Sequence, residues 1–120
     1  MRNIQLKTKD GRDTIQVTCG EIFRDTVGIH YCVGKTPQDA AQFIMQKLFT
    51  ASHLRTGQAI VMGVDKEIAV AVGAKFLEFL PESLRQTEDV AAIVASLPDG
   101  FGAWAREMEF TNQYIPWKVR

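Results

Sequence analysis

Four residues of this 120-residue chain are soft metal ligands other than methionine: Cys19, His30, Cys32 and His53. Two sulfurs and two imidazoles match tetrahedral zinc in type and number, and His30 and Cys32 would share one face of a strand. No pair has the spacing of a zinc finger or knuckle, however, and His53 would have to come from a helix. We therefore expect core or surface roles for all four residues, with no metal and no cofactor.

A cysteine and a histidine could also serve nucleophilic catalysis, in which the imidazole activates the thiol. Nothing in the sequence marks such a nucleophile, because Cys32 stands between Tyr31 and Val33 in an apolar context. The sequence therefore favours a protein that is not an enzyme. The alternative is a small enzyme or a ligand- or metal-binding domain around His30, Cys32 and His53.

Basic residues near the N-terminus are candidates for binding an anion or nucleic acid. Gly34-Lys35-Thr36 precedes an expected helix but lacks the upstream glycine of a phosphate-binding loop. The chain has 14 basic and 14 acidic residues, so no net charge attracts it to nucleic acid, and no aromatic residues alternate with the basic ones. A solvated edge is the simpler interpretation, and nucleic-acid binding is a second alternative. The candidates are Arg2, Lys7, Lys9, Arg12, Lys35 and Arg55.

Aromatic residues near the C-terminus are the candidates for a protein contact. The segment 112–120 alternates apolar and polar residues, so it is expected to be extended and either to pack on its own core or to bind a partner. Aromatic residues are enriched in the energetically dominant parts of interfaces. The candidate interaction residues are Trp104, Tyr114, Ile115 and Trp117.

The elements that must position these residues begin with a β-hairpin. An Asp-Gly pair at positions 10 and 11 lies between two alternating runs, which predicts strands over 3–9 and 12–19. With a two-residue turn, the positions of opposed residues sum to 21, and apolar residues then face each other. The expected apolar pairs are Leu6 with Ile15 and Ile4 with Val17.

The middle of the chain predicts a strand, a helix and a second strand. A short alternating strand covers 29–33, and Thr36 and Pro37 are typical of a helix start. We expect the helix to run to about Leu54 and to be followed by a strand over 58–64, buried on both faces and parallel to the first. The alternative is that 48–54 forms the first arm of a second hairpin.

The C-terminal half predicts helices. Apolar spacing indicates one from Asp65 to Pro81, a second beginning at Thr87, and a third from Phe101, with Pro98-Asp99-Gly100 as the break. The last two should form a helical hairpin.

Together these features predict one α+β domain over residues 1–120. The N-terminal hairpin and two further strands would form one mixed sheet with helices packed on one face, followed by the C-terminal helical hairpin and extended tail. The start has no signal-peptide pattern, and no apolar stretch is long enough to span a bilayer, so we expect a cytoplasmic protein. The expected function is non-enzymatic binding or regulation of a protein partner, as an inhibitor, immunity or accessory factor, with a homodimer left open.

Overall fold

A computed structural model describes residues 2–7, 14–33 and 36–117. Within them lie five strands and four α-helices, and the strands form one sheet in the order β1-β2-β3-β4-β5. Helix α2 packs across β3, β4 and β5, and α4 packs against β5, which confirms the α+β class. The elements are β1 (Arg2–Lys7), β2 (Thr14–Phe23), β3 (Val27–Tyr31), α1 (Pro37–Met45), β4 (Phe49–His53), β5 (Ala59–Val64), α2 (Lys66–Phe79), a 3-10 turn (Glu82–Leu84), α3 (Val90–Ser96) and α4 (Phe101–Thr111).

The first two strands pair in the register that the sequence predicts. Leu6 is opposite Ile15 and Ile4 is opposite Val17, while the predicted turn at positions 10 and 11 lies outside the described residues. Strand β2 is longer than expected, because it continues past an irregularity between Cys19 and Glu21 and then pairs with β3.

The turn between β2 and β3, at residues 24–26, contains no glycine or proline, so no strong local signal in the sequence predicts it. Arg24 and Asp25 both have positive φ angles, of 51° and 52°, and the Thr26 N–H donates to the Phe23 carbonyl at 2.9 Å. Non-glycine residues rarely adopt this left-handed conformation. The chain nevertheless reverses here and brings Val27 opposite Phe23.

The prediction that the helix runs to about Leu54 is wrong, and the alternative, in which 48–54 forms the first arm of a second hairpin, is confirmed. Helix α1 ends at Met45, and β4 begins at Phe49. The Leu48 N–H donates to the Phe43 carbonyl and the Lys47 N–H to the Ile44 carbonyl, which is a Schellman stop. Lys47 occupies the left-handed position, with a φ of 56°, where glycine is the usual signal.

The prediction that the strand over 58–64 runs parallel to the strand over 29–33 in a mixed sheet is also wrong. All four strand pairs of the described residues are antiparallel. The link from β3 to β4 passes through α1 and returns beside its start, where the Cys32 N–H donates to the Leu48 carbonyl at 3.0 Å. Strand β5 lies at the edge of the sheet and is not buried on both faces: Val61 and Val64 are buried whereas Ala59 and Met62 are exposed.

The core lies between α2 and one face of the sheet. Gly73 sits over β3 and β4, and a Cβ at this position would lie 3.1 Å from Val27 Cγ1 and 3.7 Å from Ala51 Cβ. The missing side chain thus lets α2 approach the sheet closely. The buried apolar residues are Val27, Ile29, Ala51, Val61, Val64, Ile68, Ala69, Val72, Phe76, Leu80, Ile93, Phe101, Trp104, Ala105 and Met108.

Candidate functional site

The strand register separates the two histidines. Val27 is opposite His53 and His30 is opposite Thr50 in the β3–β4 pair. Because successive side chains of a strand point to opposite faces, His53 lies on the face that carries α2 and His30 on the other. The described structure therefore does not bring His30, Cys32 and His53 together around one point.

His30 is buried and has both ring nitrogens hydrogen-bonded. Its Nδ1–H donates to the Tyr31 carbonyl at 2.8 Å, so Nε2 is free to accept a hydrogen bond from the Ser52 hydroxyl at 2.9 Å. Burial lowers the pKa of His30, partly offset by the bond to the Tyr31 carbonyl. This arrangement resembles a serine–base pair in geometry, but both side chains are only 1 % exposed, so a substrate has no access to the hydroxyl.

His53 is equally satisfied on the opposite face. Its Nε2–H donates to the Arg85 carbonyl at 2.8 Å, and its Nδ1 accepts from the Thr56 N–H at 3.3 Å and lies 2.9 Å from the Thr56 hydroxyl. Burial lowers its pKa, opposed by the bond to Arg85. The neutral ring thus links β4 to the segment that follows α2.

The cysteines offer little further chemistry among the described side chains. Cys32 is a partly buried free thiol whose Sγ lies 3.1 Å from the Thr50 hydroxyl. Cys19 is paired with His30 in the backbone register, and its side chain lies outside the described part of the structure. Among the side chains that the structure does describe, no three His, Cys, Asp or Glu residues come together as a metal site.

Of the six basic residues proposed to bind an anion or nucleic acid, the structure describes the side chain of Arg55 alone. Arg55 pairs with Glu88, with 3.0 Å between Nη2 and Oε1, and both side chains are more than half exposed. Lys9, Arg12 and Lys35 lie outside the described residues, and of Arg2 and Lys7 only the backbone in β1 is described. Nucleic-acid binding by these residues remains a hypothesis from the sequence.

Of the four candidate interaction residues, three pack against the protein's own core. The Trp104 Nε1–H donates to the Ile115 carbonyl at 2.6 Å, and the ring centroids of Trp104 and Trp117 are 5.3 Å apart. Trp117 also packs against Phe79 and Phe101. The tail up to Trp117 is therefore fastened to α2 and α4 by aromatic contacts, and Tyr114 alone of the four is exposed.

An exposed phenylalanine at the end of α4 was not anticipated as an interaction residue. Phe110 is 92 % exposed and borders an open groove of about 510 Å³, which is also lined by Ala103, Arg106 and Ile115. The buried residues of α4 are at positions 101, 104, 105 and 108, and position 110 falls outside that stripe. This helical spacing, available in the sequence, would have identified Phe110 as an outward-facing aromatic residue.

The turn that follows α4 borders the groove and is fixed by hydrogen bonds. Asn112 ends α4 in the left-handed conformation, its side-chain oxygen accepts from the Asp65 N–H at 2.9 Å, and its side-chain amide donates to the Asp65 carboxylate at 3.3 Å. Together with the Trp104–Ile115 bond, these contacts fix the direction in which the chain leaves α4. Phe110 and Tyr114 thus flank an anchored turn.

No helix among the described residues is long and apolar enough to cross a membrane. Comparison of the chain with protein-family models, with curated proteins and with solved structures found no match.

Proposed function

We propose that this protein acts by binding a protein partner through its C-terminal surface, formed by the groove residues Arg106, Phe110 and Ile115 together with Tyr114. The observation that carries the proposal is Phe110, a large aromatic side chain that is 92 % exposed beside an open groove. A phenyl ring in water contributes nothing to folding, whereas its burial in a partner would remove a large apolar area from solvent.

The composition of the surface supports this proposal. Arg106 and Glu107 line the groove with Phe110 and Ile115, so charged groups adjoin an apolar centre. Interfaces commonly have this arrangement, with aromatic residues and arginine providing most of the binding energy. Because Asn112 and Trp104 hold the turn in place, little conformational entropy is lost on binding. We place this binding in the cytoplasm, where the Cys32 thiol would stay reduced.

A site-specific photo-cross-linker in the producing cell tests the proposal. Placed at Phe110, it should give a discrete adduct with one protein, and placed at Met62, a 45 % exposed residue of β5, it should give none. With the partner purified, Phe110→Ser should weaken binding by at least about tenfold, the effect of losing an interface anchor, and Met62→Ser should not. An affinity unchanged by both Phe110→Ser and Tyr114→Ser would refute the proposed surface.

A further inference from the structure

A separate cavity of about 120 Å³ lies beneath α3, between that helix, α2 and the β4–β5 hairpin. We call it the α3 pocket. Three buried rings line it, those of His53, Phe76 and Phe101, with centroid separations of 6.2 Å from His53 to Phe76 and 6.3 Å from Phe76 to Phe101. Its inner wall is therefore aromatic and does not include any residue of the C-terminal surface.

The α3 pocket reaches the surface beside α3. Ala59 on β5 and Val90 and Val94 on α3 also line it, and all three are exposed, Val94 to 63 %. A ligand could therefore enter between the edge strand and the helix without unfolding the core. Since α3 has only seven residues and one buried residue, Ile93, its displacement would break few contacts.

The chemistry of the lining is almost entirely apolar. His53 and Gln58 are its polar residues, and every other lining side chain is a hydrocarbon. Both nitrogens of His53 are already used, by Thr56 and by the Arg85 carbonyl, so the ring offers the pocket no free donor or acceptor. A polar ligand would lose its hydration along this lining, and only the side-chain amide of Gln58 could compensate for that loss.

From this geometry we propose that the α3 pocket binds one small apolar molecule of about the size of benzene. An engineered protein cavity of about 150 Å³, lined by aliphatic and aromatic side chains, stays dry and takes up benzene or xenon. The α3 pocket is of comparable volume and has an aromatic wall that favours edge-to-face contact with a ring. The site is independent of the proposed protein-binding surface, and each can fail without the other.

Benzene titration of the full chain tests this proposal, followed by the aromatic and His53 resonances in NMR spectra and by the thermal midpoint Tm. We expect saturable shifts confined to residues around His53, Phe76 and Phe101, together with a higher Tm, because the ligand binds only the folded state. Val94→Phe should fill the entrance and abolish the saturable shifts. Val33→Phe, the same change at a 42 % exposed valine just after β3, should leave them intact.

Ala59→Phe provides a second block from the opposite wall, so the test does not depend on one variant. The proposal is overturned if benzene produces no saturable shift in the wild type up to its solubility limit. It is also overturned if both blocking variants bind benzene as the wild type does. Tighter binding of phenol than of benzene would overturn it too, because that preference would mean that the Gln58 amide makes the pocket selective for polar ligands.

Discussion

Helices α1 and α2 are both amphipathic in sequence, but only α2 is packed into the core. Five residues of α2 are buried: Ile68, Ala69, Val72, Gly73 and Phe76. All nine residues of α1 are described and none is buried; Ile44 is 50 % exposed and Met45 81 % exposed. Apolar spacing therefore predicts that a helix forms but does not identify the surface that it covers.

The difference follows from where each helix sits along the chain. Helix α2 follows the edge strand β5 and crosses back over β4 and β3, with Gly73 allowing close approach. Helix α1 lies within the β3–β4 connection, which closes at the Cys32–Leu48 hydrogen bond beyond the paired strands. It is held by its ends, through the Thr36 cap and the Schellman stop, and not by a buried face.

The largest expected effect on stability comes from shortening a buried side chain of the packed helix α2. Ile68→Ala should lower the free energy of unfolding by about 2–5 kcal/mol, because it removes buried methyl groups and leaves a cavity beneath α2. Chemical denaturation followed by circular dichroism measures this loss. A loss below about 1 kcal/mol would contradict the close packing of α2.

A smaller loss is expected from filling the space that Gly73 leaves. Gly73→Leu should cost about 1–3 kcal/mol through overpacking, since a Cβ alone would already lie 3.1 Å from Val27 Cγ1. Gly102 in α4 is the matched control, because a Cβ built there would have no heavy atom within 4 Å outside its chain neighbours and its own helix backbone. Gly102→Leu should leave stability unchanged or raise it slightly through helix propensity. Equal losses in both variants would show that α2 is not closely packed at Gly73.

Acid should weaken the sheet through its two buried histidines. Burial lowers the pKa values of His30 and His53, so the unfolded chain binds protons more tightly than the folded chain. Above the unfolded-state pKa of about 6.5 both histidines are neutral in either state, and they do not lower the free energy of unfolding. As the pH falls from there toward the lower folded-state pKa values, each histidine reduces the free energy of unfolding by at most about 1.4 kcal/mol per pH unit.

Unfolding free energies measured from pH 7.5 down to pH 5 would check this dependence. His53→Gln keeps an amide that can donate to the Arg85 carbonyl and removes one titrating group, so its stability should fall less steeply with decreasing pH. A pH profile identical to that of the wild type would assign the acid sensitivity to other groups. Helix α1 contains no histidine, so its unpacked side chains should not change the slope.

The sequence predicts much of the fold because the predicted elements depend on local signals. The register of the first hairpin and helix α2 follow from period-2 and helical spacing, and Pro81 limits α2. Two misjudged boundaries lie where a residue other than glycine adopts a left-handed conformation, as Arg24, Asp25 and Lys47 do. Their cost of adopting positive φ is offset by tertiary context, which no local pattern reveals. The predicted helix start at Thr87 is wrong for a different reason: Asp89 caps α3 by accepting from the Ala92 N–H, so the helix begins at Val90.

The candidate site was harder to predict because residue type does not fix orientation. Trp104 and Trp117 are residue types common in interfaces, but here their rings pack against each other. Trp117 also packs against Phe79 of α2, which is distant in the sequence, so no local pattern predicts the contact. The separation of His30 from His53 depended on recognising β4 as a strand. Once β4 is assigned, its register with β3, in which Val27 is opposite His53, puts the two rings on opposite faces.

The smallest expected effect is also the most direct test of the contrast between the two helices. Ile44→Ala applies to α1 the substitution made at Ile68 in α2, and it should change the free energy of unfolding by less than about 0.5 kcal/mol, as surface substitutions do. The measurement uses the same denaturation assay at two protein concentrations tenfold apart. A loss as large as that of Ile68→Ala at both concentrations would mean that α1 is packed within the monomer. A loss that appears only at the higher concentration would instead mean that the exposed face of α1 is covered by a second copy, because only association makes stability depend on concentration.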